Sequence, residues 1–233
     1  MRYYEGNSLE NMTGQKKLGF SGIRNPDLEQ EVSRYYHNEL PYHNFQHALE
    51  TVAHANQIIQ ACRAEHIPIQ EPVVYYASLL HDAGYHQDHT ARGYPNKEAY
   101  SADLAGHILS NRGFPDILIR QVRQAIMATQ EIPCLETAED CAVRAADLFN
   151  LAAEYEVFFR NAKRLHQEIA LLQGRAIPWE KWKELVNQKL TIFLSQDIPL
   201  TEYFRGRPGE SVFHRRLQAN LSRFNTEPIP ASE

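Results

Sequence analysis

The sequence predicts an all-α protein in a single helical domain. Apolar residues recur at spacings of three and four in one segment after another, helix start and stop signals bracket those segments, and strand-like alternation is nearly absent. A chain of 233 residues can bury roughly 70–75% of its unfolded surface around one core. There is no internal repeat. Residues 1–24 are polar and carry Gly14, Gly19 and Gly22, which suits an irregular arm. The helical domain is expected over 25–224 and a flexible Pro-rich tail over 225–233.

Asn25-Pro26-Asp27 supplies an N-cap, a proline at the first helical position and early acidic charge, and Leu28, Val32, Tyr35 and Tyr36 form the stripe of the first helix. The second should run from about Asn44 to His66, since Phe45, Ala48, Leu49, Val52, Ala55, Ile58 and Ile59 share one face. A third, from Pro72 to Leu80, has almost no polar face, so it belongs in the interior. It closes on His81-Asp82 before Gly84. A fourth spans Asn96 to Asn111 before Gly113, and Pro115 opens a fifth that ends near Thr129. Thr137 with Asp140 has the form of a capping box for a sixth helix through Ala145-Ala146-Asp147-Leu148-Phe149-Asn150-Leu151. Two more helices are expected at about 178–194 and 210–224.

A formal net charge of −5 with both signs interspersed gives no general attraction to nucleic acid or anionic lipid, and neither is an expected partner. Cys62, Cys134 and Cys141 contain no C-x-x-C, which argues against a disulfide framework and a thiolate zinc site and fits a reduced, cytoplasmic setting. The first residues lack an apolar signal-peptide core, and no stretch approaches the roughly twenty apolar residues of a membrane span.

The chemistry concentrates in Tyr42-His43-Asn44-Phe45-Gln46-His47, in His81-Asp82 and in Asp147. A His-Asp pair means little in a chain with eleven histidines; its position at the end of a buried helix means more, because imidazole and carboxylate there need a partner. Asp147 is likewise out of character inside an alanine- and leucine-rich helical run. His47, His81, Asp82 and Asp147 come from three expected helices. Such mixed nitrogen and oxygen ligands suit a divalent ion such as manganese, iron, nickel, zinc or magnesium, with positions left open for water. An ion of this kind lowers the pKa of a bound water from about 15.7 towards roughly 7 and polarises phosphoryl oxygens.

The order of a histidine, a His-Asp pair and a distant aspartate resembles the HD superfamily of metal-dependent phosphohydrolases. The Tyr-His-Asn-x-x-His start is similar to that of cyclic-nucleotide phosphodiesterases and of a family of uncharacterised bacterial HD phosphohydrolases of about this length. The likeness to the second group continues through Asn96-Lys97-Glu98-Ala99-Tyr100-Ser101-Ala102, Ile126-Met127-Ala128-Thr129 and Ala219-Asn220-Leu221, and so covers about residues 35–224. The resemblance implies that His47, His81, Asp82 and Asp147 are the ligands and that His43 is a proton donor to the leaving oxygen. Imidazole chemistry agrees, since a pKa of about 6.5 suits proton transfer near neutral pH.

Glu98 is a candidate to ligate a metal, position water or act as a base. Asn44, inside the first motif, and Arg205, in a stretch that gathers arginines, are candidate substrate contacts, because a guanidinium fork suits phosphate. Tyr85 stands where the phosphodiesterases carry another histidine, and Glu98 and Thr129 stand where dinuclear relatives carry two more. One firmly held ion is therefore expected, with the ligands for a second incomplete. The expected activity is hydrolysis of a small phosphomonoester or phosphodiester such as a nucleotide. The rival readings are an HD-type di-iron oxygenase, which needs about two further ligands, and a non-catalytic module that binds metal or nucleotide as a regulator. A homodimer is a candidate assembly, although no segment identifies its face.

Overall fold

The structure is a computed structural model that describes residues 24–207 and 209–228; all but the last residue of the expected arm over 1–24, and the end of the tail, 229–233, lie outside the described residues. Among the described residues there are nine α-helices and no strand. The first, α1 (Pro26–Val32), begins at Asn25, whose side chain accepts from the Leu28 N–H, and runs on as a 3₁₀ turn over Ser33–Tyr35. It is followed by α2 (Phe45–Ala64), α3 (Glu71–Leu80), α4 (Lys97–Asn111), α5 (Asp116–Met127) and α6 (Ala138–Leu148).

The apolar third segment is the hub. Every residue of α3 from Val73 to Leu80 is buried, and α3 packs against α2, α5 and α6, with α4 laid along α5. A helix that is hydrophobic all round has to be covered all round. Burial of each of its Val and Leu side chains contributes about 1.5–3 kcal/mol. At its end the Tyr36 hydroxyl donates to the Leu79 carbonyl at 2.8 Å, which satisfies one of the carbonyls that a helix terminus leaves open. The chain therefore delivers His81 and Asp82 inside the protein.

The capping box forms at α6, where Thr137 accepts from the Asp140 N–H and Asp140 accepts in return from the Thr137 N–H. The helix is shorter than its sequence pattern, because Phe149–Ala152 tighten into a 3₁₀ turn. Asn220 holds that turn by donating to the Leu151 and Ala153 carbonyls at 3.0 and 2.9 Å.

A helix not anticipated in the sequence, α7 (Tyr155–Gln173), follows and stops at Gly174, which takes the left-handed conformation that ends many helices (φ +64°). With α8 (Trp179–Leu194) and α9 (Val212–Thr226) it makes a second layer, joined by Tyr155, Phe158, Phe159, Trp179 and Phe224 in edge-on and stacked contacts. The last helix runs two residues past the expected boundary at 224.

The turn after Asp82 is closely built. The Gly84 N–H donates to Ser101 Oγ at 3.1 Å, and a Cβ on Gly84 would overlap the Tyr100 ring and stand 3.2 Å from that hydroxyl. Gly84→Ala is expected to cost about 1–3 kcal/mol through overpacking. The measurement is the urea midpoint, which should fall at constant m-value; an unchanged midpoint would show that Tyr100 swings aside freely.

Candidate metal centre

Three helix ends meet at one point. Asn44 caps α2 by accepting from the Gln46 and His47 N–H groups at 3.0 and 3.2 Å, and its amide donates to the Leu40 carbonyl at 2.8 Å. This cap sets His47 in the first turn. His81 and Asp82 arrive from the end of α3, and Asp147 from the last turn of α6. His47 Nε2 lies 3.7 Å from Asp82 Oδ2 and 3.7 Å from Asp147 Oδ1. His81 Nε2 lies 3.1 and 3.5 Å from the same two oxygens. His81 Nδ1 donates to the Ser78 carbonyl at 2.9 Å, which fixes the ring and turns Nε2 towards the carboxylates.

The donor set fits a divalent cation. Both ring nitrogens of His47 and Nε2 of His81 are buried without a hydrogen-bond partner, an arrangement that costs free energy unless something else satisfies them. The spacing of 3.1 to 3.7 Å is what neighbouring ligands show when each stands about 2.0–2.2 Å from a shared ion. Burial opposes charge on His81, yet the carboxylates of Asp82 and Asp147 raise its pKa to about 10. Burial likewise opposes charge on the two aspartates, yet both are held far below the usual carboxylate range, Asp82 by His81 and Lys97, and Asp147 by His47 and His81. The pocket is thus tuned for positive charge. Its open side is at Asp147, whose side chain is 21% exposed, against 5% or less for the other three.

His43 stands beside this cluster. It precedes α2 rather than belonging to it, so helical spacing does not place it; a carboxylate does. Glu168, fully buried on α7, accepts through Oε2 from the N–H groups of Tyr42 and His43, both at 2.8 Å, and through Oε1 makes a short hydrogen bond with His43 Nδ1. Tyr85 stacks on the imidazole at 3.8 Å. The far nitrogen, Nε2, is left 3.9 Å from Asp82 Oδ2. Burial lowers the pKa of His43, with Glu168 and Asp82 opposing that shift.

Lys97 completes the surroundings. It is the first residue of α4, and its Nζ lies 2.8 Å from Asp82 Oδ1 and 3.0 Å from Glu98 Oε1. Glu98 is buried and reaches the cluster through this ammonium.

The structure thus brings together His43, His47, His81, Asp82, Glu98 and Asp147. It does not add the two residues expected to touch substrate. Asn44 uses both ends of its amide on the backbone. Arg205 donates to the Leu200 carbonyl and lines a separate cavity of about 220 Å³ beside Ile67 and Thr137. Those two mark the far ends of α2 and α6, and α2 with its 20 residues is about 30 Å long. Thr129 turns its hydroxyl back onto the Ile126 carbonyl, so it adds no ligand for a second ion. Glu168 and Lys97 are the residues that sequence reasoning misses.

The arrangement of helices is shared with solved structures. Two crystal structures of the phosphodiesterase domain of a rhodopsin phosphodiesterase from the choanoflagellate Salpingoeca rosetta superpose with TM-scores of 0.58. Identity is 18% and 17%, over 86% of this chain and over 82% and 79% of theirs. The chain has the fold of these phosphodiesterase domains. No family model and no curated protein matches the sequence. No helix among the described residues is long and apolar enough to cross a membrane.

Proposed function

We propose that this chain is a metal-dependent phosphohydrolase that cleaves a small phosphomonoester or phosphodiester, with nucleotides as the first substrates to try. The observation that carries this reading is the cluster of two buried histidines with unpaired ring nitrogens, buried Asp82 and half-buried Asp147, set beside a third histidine that a buried carboxylate holds in place. The shared fold with phosphodiesterase domains supports a hydrolytic role.

His47, His81, Asp82 and Asp147 would hold the ion. When bound, it supplies a Lewis acid for phosphoryl oxygen and makes a water more acidic. Asp147, on the open side, or Glu98 would orient that water or take its proton. As the water oxygen bonds to phosphorus, the bond from phosphorus to the leaving oxygen breaks, and His43 Nε2 gives that oxygen a proton. Glu168 fixes the ring through Nδ1, so the nitrogen facing the cluster is the one that works.

Protein loaded with manganese is expected to release 4-nitrophenol from 4-nitrophenyl phosphate or its bis ester. Dialysis against chelator should stop the reaction, and returned metal should restart it. Absence of turnover with manganese, iron, nickel, zinc and magnesium would sink the hydrolase reading. A nucleotide that raises Tm and is never cleaved would point to the regulatory module instead.

A further inference from the structure

We infer that the ammonium of Lys97 takes the place of a second cation and restricts this centre to one divalent ion. This rests on the metal-centre reading above and extends it. The two oxygens of Asp82 face opposite ways. Oδ2 is turned to imidazole, 3.1 Å from His81, 3.7 Å from His47 and 3.9 Å from His43. Oδ1 is turned to Lys97 Nζ at 2.8 Å. A carboxylate that divides its oxygens between two positive centres acts as a bridge, and here one of the two centres is an amino group.

The surroundings of that amino group are those of a cation site. Glu98 Oε1 lies 3.0 Å away and the Tyr85 ring centroid 5.3 Å away. Hard oxygen ligands of this kind suit magnesium or manganese as readily as ammonium. The placement runs against local preference, because a helix start carries partial positive charge and favours acidic side chains. Asn96 fixes that helix start by accepting from the Ala99 N–H at 2.8 Å, and the stem of Lys97 then leads back to Asp82. A second divalent ion could use Asp82 Oδ1 and Glu98 only by displacing an ammonium already held by both.

The test is the manganese stoichiometry of metal-stripped protein, counted by elemental analysis and read independently by electron paramagnetic resonance. Wild type and Lys97→Arg, which keeps the charge, are expected to take one ion per chain with the spectrum of an isolated ion. Lys97→Ala and Lys97→Gln are expected to take two, with the spectrum of a coupled pair. Two variants are used so that a folding defect in one, visible by circular dichroism, leaves the other to decide. Two ions in wild type, or one ion in both folded neutral variants, overturns the inference. No ion in any of the four proteins removes the metal-centre reading itself, and this inference with it.

Discussion

His81→Ala and Asp82→Ala proteins are expected to lose bound metal and the proposed phosphate-ester hydrolysis together while keeping their helical content. His81 contributes one of the two imidazole nitrogens that face the carboxylates, and it lies fully inside the protein, so water has no easy route to replace it as a ligand. Loss of a group that merely orients a ligand lowers metal affinity about 10–100-fold; loss of the ligand itself should exceed that. The wild type offers a thermodynamic check. An ion at 100 times its Kd stabilises the folded state by about 2.7 kcal/mol, so metal should raise Tm in wild type and leave His81→Ala unmoved. Full turnover in either variant would end the metal reading. A Tm rise that survives in His81→Ala would place the ion elsewhere.

Glu168→Gln is expected to keep the metal and lose proton donation. The glutamine carbonyl still accepts from the Tyr42 and His43 N–H groups, as Glu168 Oε2 does at 2.8 Å. The amide nitrogen then faces His43 Nδ1, where the carboxylate had accepted a hydrogen bond from the Nδ1–H. The ring must turn an unprotonated Nδ1 to that amide, and a second proton on the ring is no longer supported. General acid catalysis is worth about 10²–10⁴-fold, and a loss in that range should appear for esters of aliphatic alcohols. Aryl esters with an activated leaving group, which needs no proton, should be cleaved almost as before. A parallel fall for both ester types, or loss of metal, would reduce Glu168 to a packing role.

The parts of the fold that are legible in sequence are those where local signals agree. Asn96 before α4, Thr137 with Asp140 before α6, and the apolar stripe of α2 each fix an element to within a few residues. The interior place of α3 follows from its missing polar face. His47, His81 and Asp82 offer donor atoms within 4.8 Å of one another, and the cluster is legible because its residues sit in a spaced motif. Glu168 is not, because it stands 125 residues from His43 and in Arg164-Leu165-His166-Gln167-Glu168 looks like any solvated helix charge. The stripe of α7, Phe158, Ala162, Leu165 and Ile169, has helical spacing, but α7 is not among the expected helices. Lys97 and Glu98 look like an ordinary charged pair at a helix start, and only tertiary placement gives them Asp82 as a third member.

Asn44 and Arg205 show two different limits. Asparagine before an apolar run has a local reading as a helix cap, and that reading describes what Asn44 does. Arginine suits phosphate by chemistry, but the path of the chain carries Arg205 to the opposite end of α2, and no local pattern reports that path.

The clamp from α7 onto His43 also orders the events of the protein's synthesis. All four proposed ligands precede Phe149, on or just after α2, α3 and α6, whereas the carboxylate that holds His43 comes from the second layer. A chain that folds as it emerges from its N-terminal side therefore assembles a place for metal first. On the proposed function, His43 would be held for proton transfer only once α7 docks, so a nascent or clipped chain would be expected to take up an ion without turning over phosphate esters.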